Sequence, residues 1–170
     1  MKIYFLGLFV FLSTLLTAQT NYNNRIFGYS FEMPEGWSVK DEQTSFDNDL
    51  KLVNGKGSSI VVNVDKLTSD VVNKTAEDVY EQFSDAKLLE MYRSMIPNIK
   101  LVNRGMVNYS GIDFYYINLE IPKGTAPHLL SKIFVVHKKG RRYVFTFNCL
   151  YELEGVNLIK FHTLLNSLKI

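Results

Sequence analysis

A chain of 170 residues with a formal net charge of +2, 46% apolar residues and a single cysteine excludes several protein classes at once. Near-balanced charge argues against nucleic acid as a partner, since that binding asks for a strongly basic face. The apolar share excludes a disordered or low-complexity chain, and Cys149, with no second cysteine to pair with, excludes a disulfide framework.

Met1-Lys2, the apolar run Ile3 to Leu16, and Thr17-Ala18-Gln19 read as a secretory signal peptide over residues 1–18, cut after Ala18. The run is shorter than the roughly 20 apolar residues of a transmembrane helix, although Leu16 is large for its place before the cut and an uncleaved anchor is the alternative. The mature chain is therefore expected to be periplasmic or secreted and not an integral membrane protein. About 150 residues remain, the usual size of one domain and enough to bury a core without disulfide or metal. Residues 19–26, with the polar run Asn21 to Arg25, read as a flexible lead-in, and 27–170 as a single domain.

Tyr29, Phe31 and Met33 alternate with Ser30 and Glu32, the period of a half-buried strand. Met33-Pro34-Glu35-Gly36 supplies a turn, and Trp37 and Val39 resume the alternation, which predicts a hairpin anchored in the core by Trp37. Asp41 to Asn48 is polar and reads as a loop. Leu50 to Val53 and Ser59 to Val64 are the next strands, joined at Asn54-Gly55-Lys56-Gly57, with Ile60, Val62 and Val64 on one face.

Thr75-Ala76-Glu77-Asp78 has the form of a capping box. The apolar spacing through Val79, Phe83, Ala86, Leu89 and Met95 predicts one long amphipathic helix from Ala76 to Ile96, ended by Pro97. Strands return at Lys100 to Tyr109 and, after Ser110-Gly111, at Ile112 to Ile121. There Tyr115, Ile117, Leu119 and Ile121 oppose Tyr116, Asn118 and Glu120. Ile133 to His137 and Tyr143 to Leu150 flank the basic tip Lys138-Lys139-Gly140-Arg141-Arg142. Both read as apolar on two faces, Ile133, Val135, Tyr143, Phe145 and Phe147 against Phe134, Val136 and Val144, which places them mid-sheet. Leu158, Phe161, Leu165 and Leu168 share one face of a C-terminal helix. Strands, helix, strands, helix is the order of an α+β fold, a central antiparallel sheet of six to seven strands between helices.

The run Phe27-Gly28-Tyr29-Ser30-Phe31-Glu32-Met33-Pro34-Glu35-Gly36-Trp37 resembles the opening of the PsbP/Mog1/DcrB-like superfamily, where an aromatic strand enters a Pro-x-Gly-Trp corner. The central helix, the Gly111-Ile112-Asp113-Phe114-Tyr115 strand, the basic hairpin and the ending Leu164-Leu165-Asn166-Ser167-Leu168 extend the resemblance over Phe27 to Ile170. It implies a sheet between helices, frequent export, and accessory or binding roles. It carries no catalytic residues over to this chain.

The three histidines, His128, His137 and His162, lack ligand spacing with one another or with Cys149, so no metal and no cofactor is expected. Cys149, among Phe145, Phe147 and Leu150, reads as a small buried side chain rather than a reactive thiol. No G-x-S-x-G turn supports a serine nucleophile, so no catalytic residue is assigned. Glu77, Asp78, Glu81, Asp85 and Glu90 around Lys87 read as a solvated helix face. Lys138, Lys139, Arg141 and Arg142 form the densest charge cluster in the chain. They read either as a hairpin end that must be polar or as a contact for lipid headgroups, anionic glycans or an acidic partner. Tyr109, Tyr115 and Tyr116 read as core packing, with a groove for an apolar ligand as the alternative. The expectation is an exported, non-catalytic accessory or interaction module of a bacterial envelope, its partner an unknown protein or envelope component. A carrier of a small apolar ligand in a groove between sheet and helix is the second reading.

Overall fold

The computed structural model describes residues 20–45, 48–123 and 126–170. The leader read over 1–18 lies outside the described residues. The sheet runs through strands β3 (Ser38–Ser45), β4 (Asn48–Val53), β5 (Ser59–Lys66), β6 (Lys100–Tyr109), β7 (Ile112–Lys123), β8 (Ala126–Lys138) and β9 (Arg141–Leu150). Their spatial order is β3-β4-β5-β9-β8-β7-β6, and every pair is antiparallel. Beside it stands a two-stranded ribbon of β1 (Asn21–Asn24) and β2 (Tyr29–Glu32). The α+β reading with a central antiparallel sheet holds.

β9 lies at the centre because alternate residues along it are fully apolar. Tyr143, Phe145, Phe147 and Cys149 are buried on one face, together with Ile60, Val62, Phe114 and Phe134 of neighbouring strands. That face is covered by helix α3 (Glu154–Ser167), through Phe161, Leu164 and Leu165, and by Tyr29 and Phe31 of the ribbon. Phe161 stacks on Phe147 at 5.2 Å and meets Phe134 edge-on at 5.4 Å. The opposite face is covered by helices α1 (Ala76–Tyr80) and α2 (Asp85–Met95), where Ala76 and Leu88 pack on Tyr115, Ile117, Leu119 and Val135. The C-terminus closes the layer, since Lys169 and Ser30 exchange backbone hydrogen bonds at 2.8 and 3.0 Å. No helix among the described residues is long and apolar enough to cross a membrane.

Five local expectations are corrected. The lead-in forms β1 at Asn21–Asn24, because its backbone pairs with β2 and Met33 N–H donates to Thr20 O at 2.8 Å. The strands flanking the Pro34-Gly36 corner do not pair with each other: β2 joins the ribbon and β3 the main sheet. Trp37 is nonetheless buried in the core, 6.4 Å from Phe147. The polar stretch from Asp41 continues as β3 to Ser45, an edge strand of the sheet.

The helix expected from Ala76 to Ile96 is two helices. Ser84 Oγ accepts from Lys87 N–H at 3.2 Å and so starts α2 afresh, while Thr75 and Asp78 form the expected capping box of α1. Met95, at the end of α2, is exposed. Finally, the hairpin register sets Phe134 opposite Phe145 and Val136 opposite Tyr143. Tyr143, Phe145 and Phe147 therefore share a face with Phe134 and Val136, not with Ile133 and Val135.

Phe161 joins two aromatic contacts to complete burial. Replacing it by alanine is expected to lower stability by about 3–5 kcal/mol in urea unfolding. A loss below about 1 kcal/mol would show that α3 does not seal this layer.

Candidate functional site

The β8–β9 hairpin turns on Lys139 and Gly140 alone, with φ of 51° and 74°. Positive φ at both central residues is the geometry that matches the twist of a two-residue hairpin. The strands therefore run out to Lys138 and resume at Arg141, and the four basic residues read as one tip are separated. Lys138 and Lys139 are exposed at the end, whereas Arg141 and Arg142 sit on β9, half-buried and on opposite faces.

Cross-strand pairing decides what each arginine meets. Arg141 lies opposite Lys138 on β8 and opposite Lys66 on β5, so three cations occupy one rung on the face that carries the ribbon. Among the described residues no ion pair engages Lys66, Lys138 or Arg141. Like charges directly opposite each other destabilise a sheet. Arg141 is partly compensated by lying 5.5 Å over the Phe27 ring. That ring is fixed in place because Tyr143 Oη donates to Phe27 O at 2.9 Å and Asn24 Oδ1 accepts from the N–H groups of Ile26 and Phe27. Asp49 bears on Arg141, and its carboxylate is already taken by Val64 N–H.

The next rung is composed differently. Arg142 lies opposite Asp65 and His137. Its Nη2 and Nε donate to Asp65 Oδ2 at 2.6 and 3.1 Å. Burial works against its charge, but Asp65 and Tyr80 outweigh that and hold the guanidinium above its ordinary range. His137 Nδ1 lies 2.9 Å from Lys74 O, which can only accept, so Nδ1 carries the proton. These groups border a rim cleft of about 260 Å³ together with Leu67, Val71 and Val79. The sequence groups Arg142 with the basic hairpin tip; the structure places it in an ion pair with Asp65. Lys66 was missed because it is distant in sequence, and only the β5–β9 register brings it to Arg141.

The other candidates do not assemble a site. His128 Nδ1 contacts Glu120 Oε1 at 2.8 Å, His162 packs 5.4 Å from Tyr109, and among the described residues no three metal-ligating side chains come together. Burial lowers the pKa of His162, with Lys132 adding to the effect. Cys149 is fully buried and its thiol is pushed up to about 11 by burial. Tyr115 faces α1, stacked on Tyr80 and bonded to Glu81, while Tyr109 and Tyr116 lie on the other face near Phe134. The three tyrosines therefore do not line one groove. Of the helix carboxylates, Glu90 pairs with Lys87 at 3.0 Å, but Asp85 reaches Arg104 on β6 at 2.7 Å. A cleft of about 430 Å³ opens at the Pro34-Gly36 corner, where Lys160 Nζ donates to Glu35 O at 2.7 Å.

No family model matches the sequence, and neither does any curated protein. Solved structures do. PsbP of the cyanobacterium Synechocystis superposes with a TM-score of 0.65 at 16% identity, covering 92% of this chain and 95% of that one. The chain therefore has the fold of PsbP. Ran-binding protein Mog1p of Saccharomyces cerevisiae gives 0.57 at 10% identity, over 89% of this chain and 95% of that one. LpqN of Mycobacterium tuberculosis, involved in cell envelope biogenesis, gives 0.55 at 12%, over 89% and 84%.

Asp49 provides a pH test of the packing beside the cation row. Burial, with a further push from Asp65, raises its pKa despite the Val64 N–H and Arg141. A carboxyl whose folded pKa is raised holds its proton more tightly in the folded state. Its ionisation therefore removes stability as pH climbs from the unfolded value of about 3.9 through the folded one. Asp49→Asn keeps an acceptor for Val64 and should be more stable than the native chain at neutral pH. The gap should close below about pH 4, where the native carboxyl is protonated. Urea unfolding at both pH values checks this, and a variant less stable at neutral pH contradicts it.

Proposed function

We propose that the protein is an exported, non-catalytic accessory module of a bacterial cell envelope that acts by contact through the basic end of its sheet. The observation that carries this reading is the rung Lys66–Arg141–Lys138, three cations held side by side and, among the described residues, joined by no ion pair. A fold gains nothing from such a row, so an external anionic surface is the natural source of compensation. The PsbP/Mog1-like fold and the envelope role of LpqN support the assignment to the envelope, and the apolar leader supports export.

The experiment is site-specific photo-crosslinking from position 139 of the full chain expressed in a bacterial host. The expected result is a processed protein beginning near Gln19, crosslinked to an envelope component, with the crosslink lost in a Lys66→Glu/Arg141→Glu variant that still melts cooperatively. Retention of an unprocessed chain in the cytoplasm, or crosslinks indifferent to the charge reversal, would contradict the reading.

A further inference from the structure

Two aliphatic side chains are exposed in loops fastened to the hairpin that carries the cation row. Ile26 is 64% exposed in the turn between β1 and β2, and Val72 is 41% exposed in the segment between β5 and α1. Both loops are fastened to the β8–β9 hairpin. On one face, Arg141 covers Phe27, the residue after Ile26, and Tyr143 holds the Phe27 carbonyl. On the other, Leu67 N–H donates to Gly140 O at 2.9 Å, and Val72 Cγ2 lies 3.8 Å from where a Cβ on Gly140 would stand. Three chain reversals therefore meet at the end of the sheet that carries the exposed Lys66, Lys138 and Lys139 and the half-buried Arg141.

We propose that this end of the sheet docks on an anionic lipid surface, the cations meeting phosphate headgroups and Ile26 and Val72 entering the interface. The inference rests on the contact end assigned above and adds the chemistry of what it meets. Charge alone would suit any acidic partner. Exposed aliphatic residues at the same end of the sheet as a cation row suit a headgroup layer, where apolar burial and electrostatic attraction act together. Of the described acids nearby, Asp65 is taken by Arg142, and Asp49 is partly buried against Val64. Asp70, exposed near Val72, holds the Thr68 hydroxyl.

The test uses the chain from Gln19 onward, which contains every described element, in co-sedimentation with two kinds of vesicle. One kind is phosphatidylcholine alone; the other is equimolar phosphatidylcholine and phosphatidylglycerol. The expected result is binding to the anionic vesicles only, weakening as sodium chloride is raised. Lys138→Gln/Lys139→Gln should weaken binding by about 25-fold, at about fivefold for each cation near the surface. Ile26→Ser should weaken binding while leaving its salt dependence unchanged, and thermal melts confirm that the variants fold. Absence of binding to the anionic vesicles, or equal binding by the lysine variant, overturns the proposal. Displacement from the vesicles by millimolar inorganic phosphate at constant ionic strength also overturns it, in favour of a soluble phosphate ligand. Charge-sensitive crosslinks to an envelope protein without vesicle binding would leave the contact end standing and remove the lipid.

Discussion

The structure depends on one constraint: the middle strands must be covered on both faces. β7 and β8 alternate between two apolar layers, Phe114 and Phe134 toward α3, Tyr115 and Val135 toward α1 and α2. A strand buried in this way cannot slip by one residue without carrying aromatic side chains into the wrong layer. The register of β9 against β5 and β8 is fixed by the same burial, because Phe145 and Phe147 are fully enclosed with Ile60, Val62 and Phe134.

That register also determines the chemistry at the end of the sheet. Tyr143 must face the ribbon, so Arg141, two residues before it, faces the same way and Arg142 faces the other. The pairing that aligns Val62 with Phe145 also brings Lys66 against Arg141, and the pairing that aligns Phe134 with Phe145 brings Lys138 there. The cation rung is thus a geometric consequence of the core. The sequence could have relieved it with an acid at any of the three positions and has a base at each. Asp65, one residue away, serves the opposite face and neutralises Arg142.

Much of this was legible before any coordinates. Strict alternation marked β2, β5 and β7, the two-sided apolar run placed β8 mid-sheet, and the Thr75–Asp78 box marked the start of α1; β9 is central too, but the expected second apolar face carries Arg142, Thr146 and Asn148 beside Val144 and is only half-buried. What escaped was what local pattern does not encode. Ser84 lies within a continuous helical apolar spacing, and only its side-chain cap on Lys87 shows that the helix restarts there. The Pro34-Gly36 corner looks like a hairpin turn, yet the strands on either side join different sheets. In the site, Lys138, Lys139 and Arg141 were visible as a charge cluster. Separating Arg142 from them and adding Lys66 both required the cross-strand register, which joins residues roughly seventy-five apart along the chain.

Hydrogen exchange by NMR tests the central constraint most directly. If β9 is the central strand on which the α3 layer closes, its amides from Tyr143 to Phe147 should exchange only through global unfolding, with free energies equal to the stability from urea titration, while β6 at the sheet edge and α2 exchange through smaller openings. Amides of β9 exchanging as readily as those of β6 would contradict the account, and with it the register that assembles the cation rung.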